Sequence, residues 1–356
     1  MIDFAYDVLP GRVVFGAGSR DQVSAEIDRL RCSRALVLST PGYSGKAKAL
    51  ADKIGQLAAG RFSGAVMHTP VSVSEEAVKA AQAVNADCVV SVGGGSTIGL
   101  GKAIALRTDL PQIVLPTTYA GSEMTPILGE TAGGKKSTQR TLKVLPEVVV
   151  YDPELTLTLP VDVSVTSGIN AVAHAVEALY AKDRSPLVSL MAAESIKMFV
   201  RSLPRILAEP LDLSARSDAL YGAWLAGTSL GAVGMSLHHK LCHVLGGSFN
   251  LPHAETHTVV LPHAIAYNEP AEPEVMRLLA GLLGANSPSC GLYELIGRLQ
   301  AKRSLRELGM PETGIEKAVL EATQNPYSNP RELDRELIHE LIRRAWAGEP
   351  PVVRSG

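Results

Sequence analysis

Apolar and polar positions follow one rhythm up to about residue 155 and another beyond it. Short apolar runs recur at 34–39, 64–68, 87–92, 112–115 and 147–151, each too short for a helix and bounded by turn formers. Such runs predict buried parallel strands. Amphipathic helical patterns at 46–57 and 74–84 lie between them. Residues 4–16 alternate and predict a strand or hairpin ending at Gly16-Ala17-Gly18, with Ser19 placed to cap a following helix. Strands alternating with helices predict right-handed crossovers and a mostly parallel sheet covered on both faces.

After Asp152-Pro153 and Pro160 the period lengthens to that of Ala- and Leu-rich helices, at 167–180, 186–200 and 214–230, and on through Arg343. No strand is predicted beyond about residue 155. The fold class expected is therefore a Rossmann-like α/β domain over 1–160 followed by an all-α domain over 161–356. Neither repeats nor low-complexity segments interrupt this division.

Composition narrows the function. A chain of 356 residues with 46% apolar and 20% charged residues can bury two cores. A formal charge of -2 gives no footprint for nucleic acid or a membrane surface, while leaving room for a small anionic substrate. Cys32, Cys88, Cys242 and Cys290 form no CxxC pair, so no disulfide framework or structural zinc site is indicated and a reducing cytoplasm fits. Asp3 and Asp7 stand where a signal peptide needs an apolar core, and no uncharged apolar run reaches membrane-spanning length.

Two stretches carry candidate chemistry. The first follows the run 87–92 and reads Gly93-Gly94-Gly95-Ser96-Thr97-Ile98-Gly99-Leu100-Gly101-Lys102. Glycines let a backbone approach a pyrophosphate, and the helix N-terminus that follows offers free N–H groups. A glycine loop alone is equally a tight turn; its place between strand and helix is what favours phosphate. Gly93, Gly94, Gly95, Ser96, Thr97 and Lys102 are the candidates, joined by Thr117, Thr118 and Ser122 of the next loop. Ser39 and Thr40 occupy the first strand-to-helix turn, where no acidic residue stands to select a ribose 2′-hydroxyl, so NADH and NADPH are both expected.

The second stretch holds five of the nine histidines, His238, His239, His243, His253 and His257. His239 and His243 are one helical turn apart and share a face. The run ends at Gly246-Gly247, and the turn 250–253 delivers His253. Upstream, Asn170 and His174 form a second i, i+4 pair in an apolar helix. An isolated pair of this kind is more often a satisfied core or surface pair than a site; the density of the cluster argues for chemistry. No HExxH or zinc-finger spacing is present.

Taken together, GGGST-IGLGK, PTTYAGSEMTP, VYDPELTLTLP, SGINAVAHAVEALY and HKLCHVLGGSFNLPHAETH resemble the iron-containing, group III alcohol dehydrogenase family, and its maleylacetate reductases most closely. The resemblance implies a dinucleotide-binding domain, a helical domain, an active-site cleft between them and a homodimer. It maps the family's metal ligands, one aspartate and three histidines, onto Asn170, His174, His239 and His253, with His243 as a further active-site histidine. Asparagine removes the one anionic ligand, so no bound metal is expected and the histidines serve as acids and anion binders. The implied reaction is reduction of maleylacetate, a small dicarboxylate, to 3-oxoadipate in bacterial breakdown of aromatic compounds. His243 or His253 would supply the proton or stabilise the enolate, Lys240 or His238 would neutralise a carboxylate, and Tyr119 is placed with the substrate. Three rivals stay open: a metal-dependent alcohol dehydrogenase that tolerates Asn170, a dehydroquinate-synthase-like lyase, and a non-catalytic metal-binding protein, which the phosphate loop disfavours.

Overall fold

A computed structural model describes residues 4–133, 135–325 and 327–354. The chain divides into two compact units, one of Val8–Leu159, the other of Pro160–Gly356 together with the residues ahead of Val8.

The first unit is built on β1 (Arg12–Phe15), α1 (Val23–Arg29), β2 (Ala35–Leu38), α2 (Ser44–Ile54), β3 (Ala58–Phe62), α3 (Val71–Ala83), β4 (Cys88–Gly93), α4 (Gly95–Thr108), β5 (Gln112–Pro116), β6 (Ile127–Ala132), β7 (Lys135–Arg140) and β8 (Val148–Tyr151). Six strands pair in parallel in the order β1-β8-β5-β4-β2-β3. Parallel strands buried on both faces explain the unbroken apolar runs. Val37, Val90, Ile113 and Val148 pack with Ala47 and Ile54 of α2 on one side, while Leu36, Leu38 and Val89 pack with Ala77 of α3 and Ile104 of α4 on the other. Gly93 stands opposite Pro116 in the β4–β5 register, so the loops after these strands leave the same carboxyl edge of the sheet.

Three local expectations are corrected. The run 64–68 is not a strand: β3 ends at Phe62, and His68 and Thr69 take left-handed backbone at φ 66 and 44. Its residues still look strand-like because Ala65 is buried and its amide bonds to Ser39 O, while Val66 and Met67 face solvent. Within 4–16 only Arg12–Phe15 is extended, and it pairs in parallel with β8 rather than in a hairpin. Ser19 does not cap α1; its hydroxyl donates to Tyr151 O. Strands β6 and β7, an antiparallel hairpin, were not predicted, because the sequence of β7 is polar throughout and has no apolar face to announce it.

The second unit has no strand among its described residues and is built on α5 (Val161–Tyr180), α6 (Pro186–Ala208), α7 (Leu213–Ala232), α8 (Leu237–Phe249), α9 (His253–Asn268), α10 (Pro273–Leu283), α11 (Pro288–Arg298), α12 (Ile315–Thr323) and α13 (Arg335–Ala347). Ser185, Asp212 and Asp334 cap α6, α7 and α13 by accepting amide N–H groups of the first turn. Helix α5 is buried from Ser164 to Tyr180 and packs against α6, α7 and α9. No helix of the described residues is long and apolar enough to cross a membrane.

Candidate functional site

Candidate residues lie in both units. In the first, α4 begins at Gly95 with no side chain among the described residues capping it; the amides of Thr97 and Ile98 donate to Gly94 O, so those of Gly95 and Ser96 are the ones offered to a ligand. The loop is tight for a physical reason: a Cβ at Gly93 would lie 2.3 Å from Thr97 Oγ1, and one at Gly94 2.8 Å from Thr118 Cγ2, whereas Gly95 is open. Gly94, Ser96 and Thr118 are half-buried. Thr97, Thr117 and Tyr119 are buried, and the buried hydroxyls of Thr97 and Ser122 have no hydrogen-bond partner among the described residues. Thr40 is half-buried, and Ser39 donates its hydroxyl hydrogen bond to Ser63 Oγ at 2.9 Å.

Lys102 has a different place from the one its position in the glycine loop suggests. It is 1% exposed, and its Nζ donates to Ser122 O, Thr125 O, Thr125 Oγ1 and Ile127 O at 2.6 to 3.0 Å. Burial pushes its amine down to about 7, opposed by the nearby Glu123 carboxyl. With its donors taken by the 122–127 segment, Lys102 fastens that loop to α4 rather than reaching a phosphate.

The second unit gathers the histidines. Asn170 and His174 project from α5, His239 and His243 from α8, and His253 and His257 from the first two turns of α9. The rings of His174 and His239 stack with centroids 5.0 Å apart; His239 and His257 lie at 4.9 Å, His253 and His257 at 4.4 Å, and His239 and His243 at 6.3 Å. His243 and His253 are exposed, while His174, His239 and Asn170 are buried. Asn170 Oδ1, His174 Nδ1 and His239 Nε2 are buried without a hydrogen-bond partner among the described residues. Burial first, then the neighbouring imidazoles, holds His174, His238 and His257 well below the usual imidazole range, so these rings are neutral.

His238 changes standing, and Lys240 keeps its place. His238 is fully buried and its Nε2 hydrogen-bonds His257 Nδ1 at 2.9 Å, so this neutral ring does not neutralise a substrate carboxylate. Lys240 is half-buried, its ammonium 5.9 Å from the Tyr327 ring centroid and, among the described residues, in no salt bridge.

Glu177 was not singled out from the sequence. It is fully buried, its Oε2 accepts from Ser236 N at 2.9 Å and stands 2.7 Å from His239 Nδ1, and its Oε1 accepts from His238 N at 2.8 Å. The available signal was an acid three residues after His174 in the apolar stretch 171–180, which holds no other acid.

The donor set suits a divalent cation. Asn170 Oδ1, His174, His239 and His253 offer oxygen and imidazole lone pairs, some buried and unsatisfied, and Glu177 adds negative charge one hydrogen bond away. None of these four side chains is a carboxylate.

Residues 10–153 match the iron-containing alcohol dehydrogenase family, and residues 164–346 match the C-terminal part of the Fe-containing alcohol dehydrogenase family. Maleylacetate reductases of Sphingobium indicum and a Rhizobium species are 57% and 58% identical over 351 residues, covering 99% of this chain and 99% and 100% of theirs. The crystal structure of maleylacetate reductase from Agrobacterium tumefaciens superposes with a TM-score of 0.96 at 57% identity, covering 99% of this chain and all of that one. An iron-containing alcohol dehydrogenase from Corynebacterium glutamicum superposes at 0.95 with 41% identity over the full length of both. The family's own description names iron, so the expectation of a metal-free protein draws no support from these matches.

Proposed function

Because this chain belongs to the iron-containing alcohol dehydrogenase family and is an oxidoreductase, we propose that it reduces the carbon–carbon double bond of maleylacetate with NADH or NADPH, giving 3-oxoadipate. The observation that carries the reading is end-to-end identity above one half with maleylacetate reductases.

The α4 N-terminus with Gly93, Gly94, Gly95, Ser96, Thr97, Thr117, Thr118 and Ser122 holds the cofactor phosphates, and Ser39 and Thr40 border its ribose. Lys102 ties the 122–127 segment of this site to α4. When bound, the nicotinamide supplies a hydride to the alkene carbon β to the ketone. The alkene electrons then move onto the ketone as an enolate, and one proton at the α carbon completes the product. Asn170, His174 and His239 line the reacting end, and the exposed His243 or His253 delivers the proton. Lys240 attracts a substrate carboxylate, and Tyr119, a buried side chain, belongs with it to the proposed substrate-binding residues.

A metal, where bound, would be held by Asn170, His174, His239 and His253 and would supply Lewis-acid polarisation of the ketone oxygen. Neutral ligands hold a cation more weakly than a set containing a carboxylate, so reduction is proposed not to require one. An enolate, its charge spread over carbon and oxygen, asks less of the site than an alkoxide. A homodimer in the cytoplasm belongs to the same proposal, the latter resting on four free cysteines.

The test is oxidation of NADH and NADPH with freshly generated maleylacetate, with 3-oxoadipate identified as product. Stoichiometric cofactor oxidation is expected. Turnover without net oxidation would instead indicate a lyase that regenerates its cofactor.

A further inference from the structure

We infer that Glu177 is a positioning residue that locks His239 with its proton on Nδ1 and so dedicates Nε2 to substrate or ligand. The inference rests on the reading above that His239 belongs to the reacting end. Both Glu177 oxygens face backbone N–H groups, of Ser236 and His238, and a backbone amide can only donate. A proton on the carboxyl would compete with those donors, so Glu177 is the carboxylate and His239 Nδ1, 2.7 Å from Oε2, carries a hydrogen.

The amide bonds have a structural purpose of their own. Ser236 is the N-cap of α8 but caps nothing with its side chain, so Glu177 of α5 supplies the cap from outside. Such a cap is complete without a histidine. The third bond, to His239, is surplus to capping, and its effect is chemical. It leaves Nε2, buried and without a partner, as the one ring nitrogen free to accept a proton or bind a ligand. His174 stacks on the same ring at 5.0 Å, which fixes its plane while Glu177 fixes its rotation.

The arrangement is testable without substrate. In the full-length protein labelled with nitrogen-15 in its histidine rings, long-range proton correlations above pH 8 should show His239 as the Nδ1–H form, the minor form of a free histidine; the signal is assigned by its loss in His239→Gln. In Glu177→Gln the Nε2–H form should appear, and kcat/KM for the substrate should fall ten- to a hundredfold while KM for NAD(P)H stays within twofold. Glu177→Asp, which keeps the charge, should restore part of the Nδ1–H population if Glu177→Gln is too unstable to study. An Nε2–H form in the unmodified protein, or unchanged tautomer and activity in folded Glu177→Gln, would overturn the inference. Failure to turn over maleylacetate, with the Nδ1–H form present, would remove the proposed reaction and leave the role of Glu177 in place.

Discussion

Gly94 faces Thr118 so closely that a Cβ on the glycine would lie 2.8 Å from Thr118 Cγ2 and 3.0 Å from its hydroxyl. The glycine loop is therefore shaped by the neighbouring loop as well as by any ligand. Gly94→Val should cost stability, about 1–3 kcal/mol for overpacking, and weaken NADH binding by displacing Thr118. Gly95→Ala is the control, since its Cβ meets nothing within 4 Å and should leave the melting temperature unchanged. Fluorescence titration with NADH checks the pair; unaltered affinity in folded Gly94→Val would remove this loop from the cofactor site.

Thr40 places a neutral hydroxyl, half-buried, at the end of β2, and Ser39 beside it is held by Ser63. A 2′-phosphate meets no carboxylate from either residue, so both cofactors should serve. Comparing kcat/KM for NADH and NADPH checks this. A preference above roughly a thousandfold, about 4 kcal/mol, would mean that another group excludes the phosphate.

Asn170 Oδ1 is buried and unpartnered beside a turn that carries His174. Asn170→Asp supplies the missing anionic ligand, so its affinity for zinc or iron should rise at least tenfold, on the order of 1.4 kcal/mol. In the absence of metal its melting temperature should fall, because a buried carboxylate is left unpaired. Activity of the unmodified protein should survive chelation. Loss on chelation with recovery on adding iron would instead make the metal an essential part of the site.

Acid should loosen the helical unit. His238 and His257 are held well below 6.5 and His263 is pushed down to about 3, in each case first by burial. The unfolded chain binds these protons from about pH 6.5 downward while the folded one does not, so stability is present above 6.5 and lost as pH falls. One unit below, each contributes about 1.4 kcal/mol of loss. Thermal melts at pH 7.5 and 5.5 check this, and an unchanged melting temperature would show that these rings take up protons without unfolding.

Much of the fold was legible because burial leaves a signature in one dimension. Parallel strands such as 87–92 and 112–115 are apolar on both faces, and α5 to α7 repeat apolar residues at the helical period, so a parallel sheet followed by a helix-rich region can be read directly. The histidine cluster was legible for the same reason, since i, i+4 spacing puts Asn170 with His174 and His239 with His243 on shared faces. Tertiary structure decided what spacing cannot express. Lys102 looks like a phosphate ligand until its ammonium is found among the carbonyls of residues 122–127, and His238 looks like its neighbour His239 until burial and His257 claim it. Glu177 lies 62 residues from His239 along the chain, and only the packing of α5 against the start of α8 brings them to 2.7 Å. Periodicity determines which side chains share a face of one helix; which face meets which, and which lone pair is left free, is settled by packing between elements.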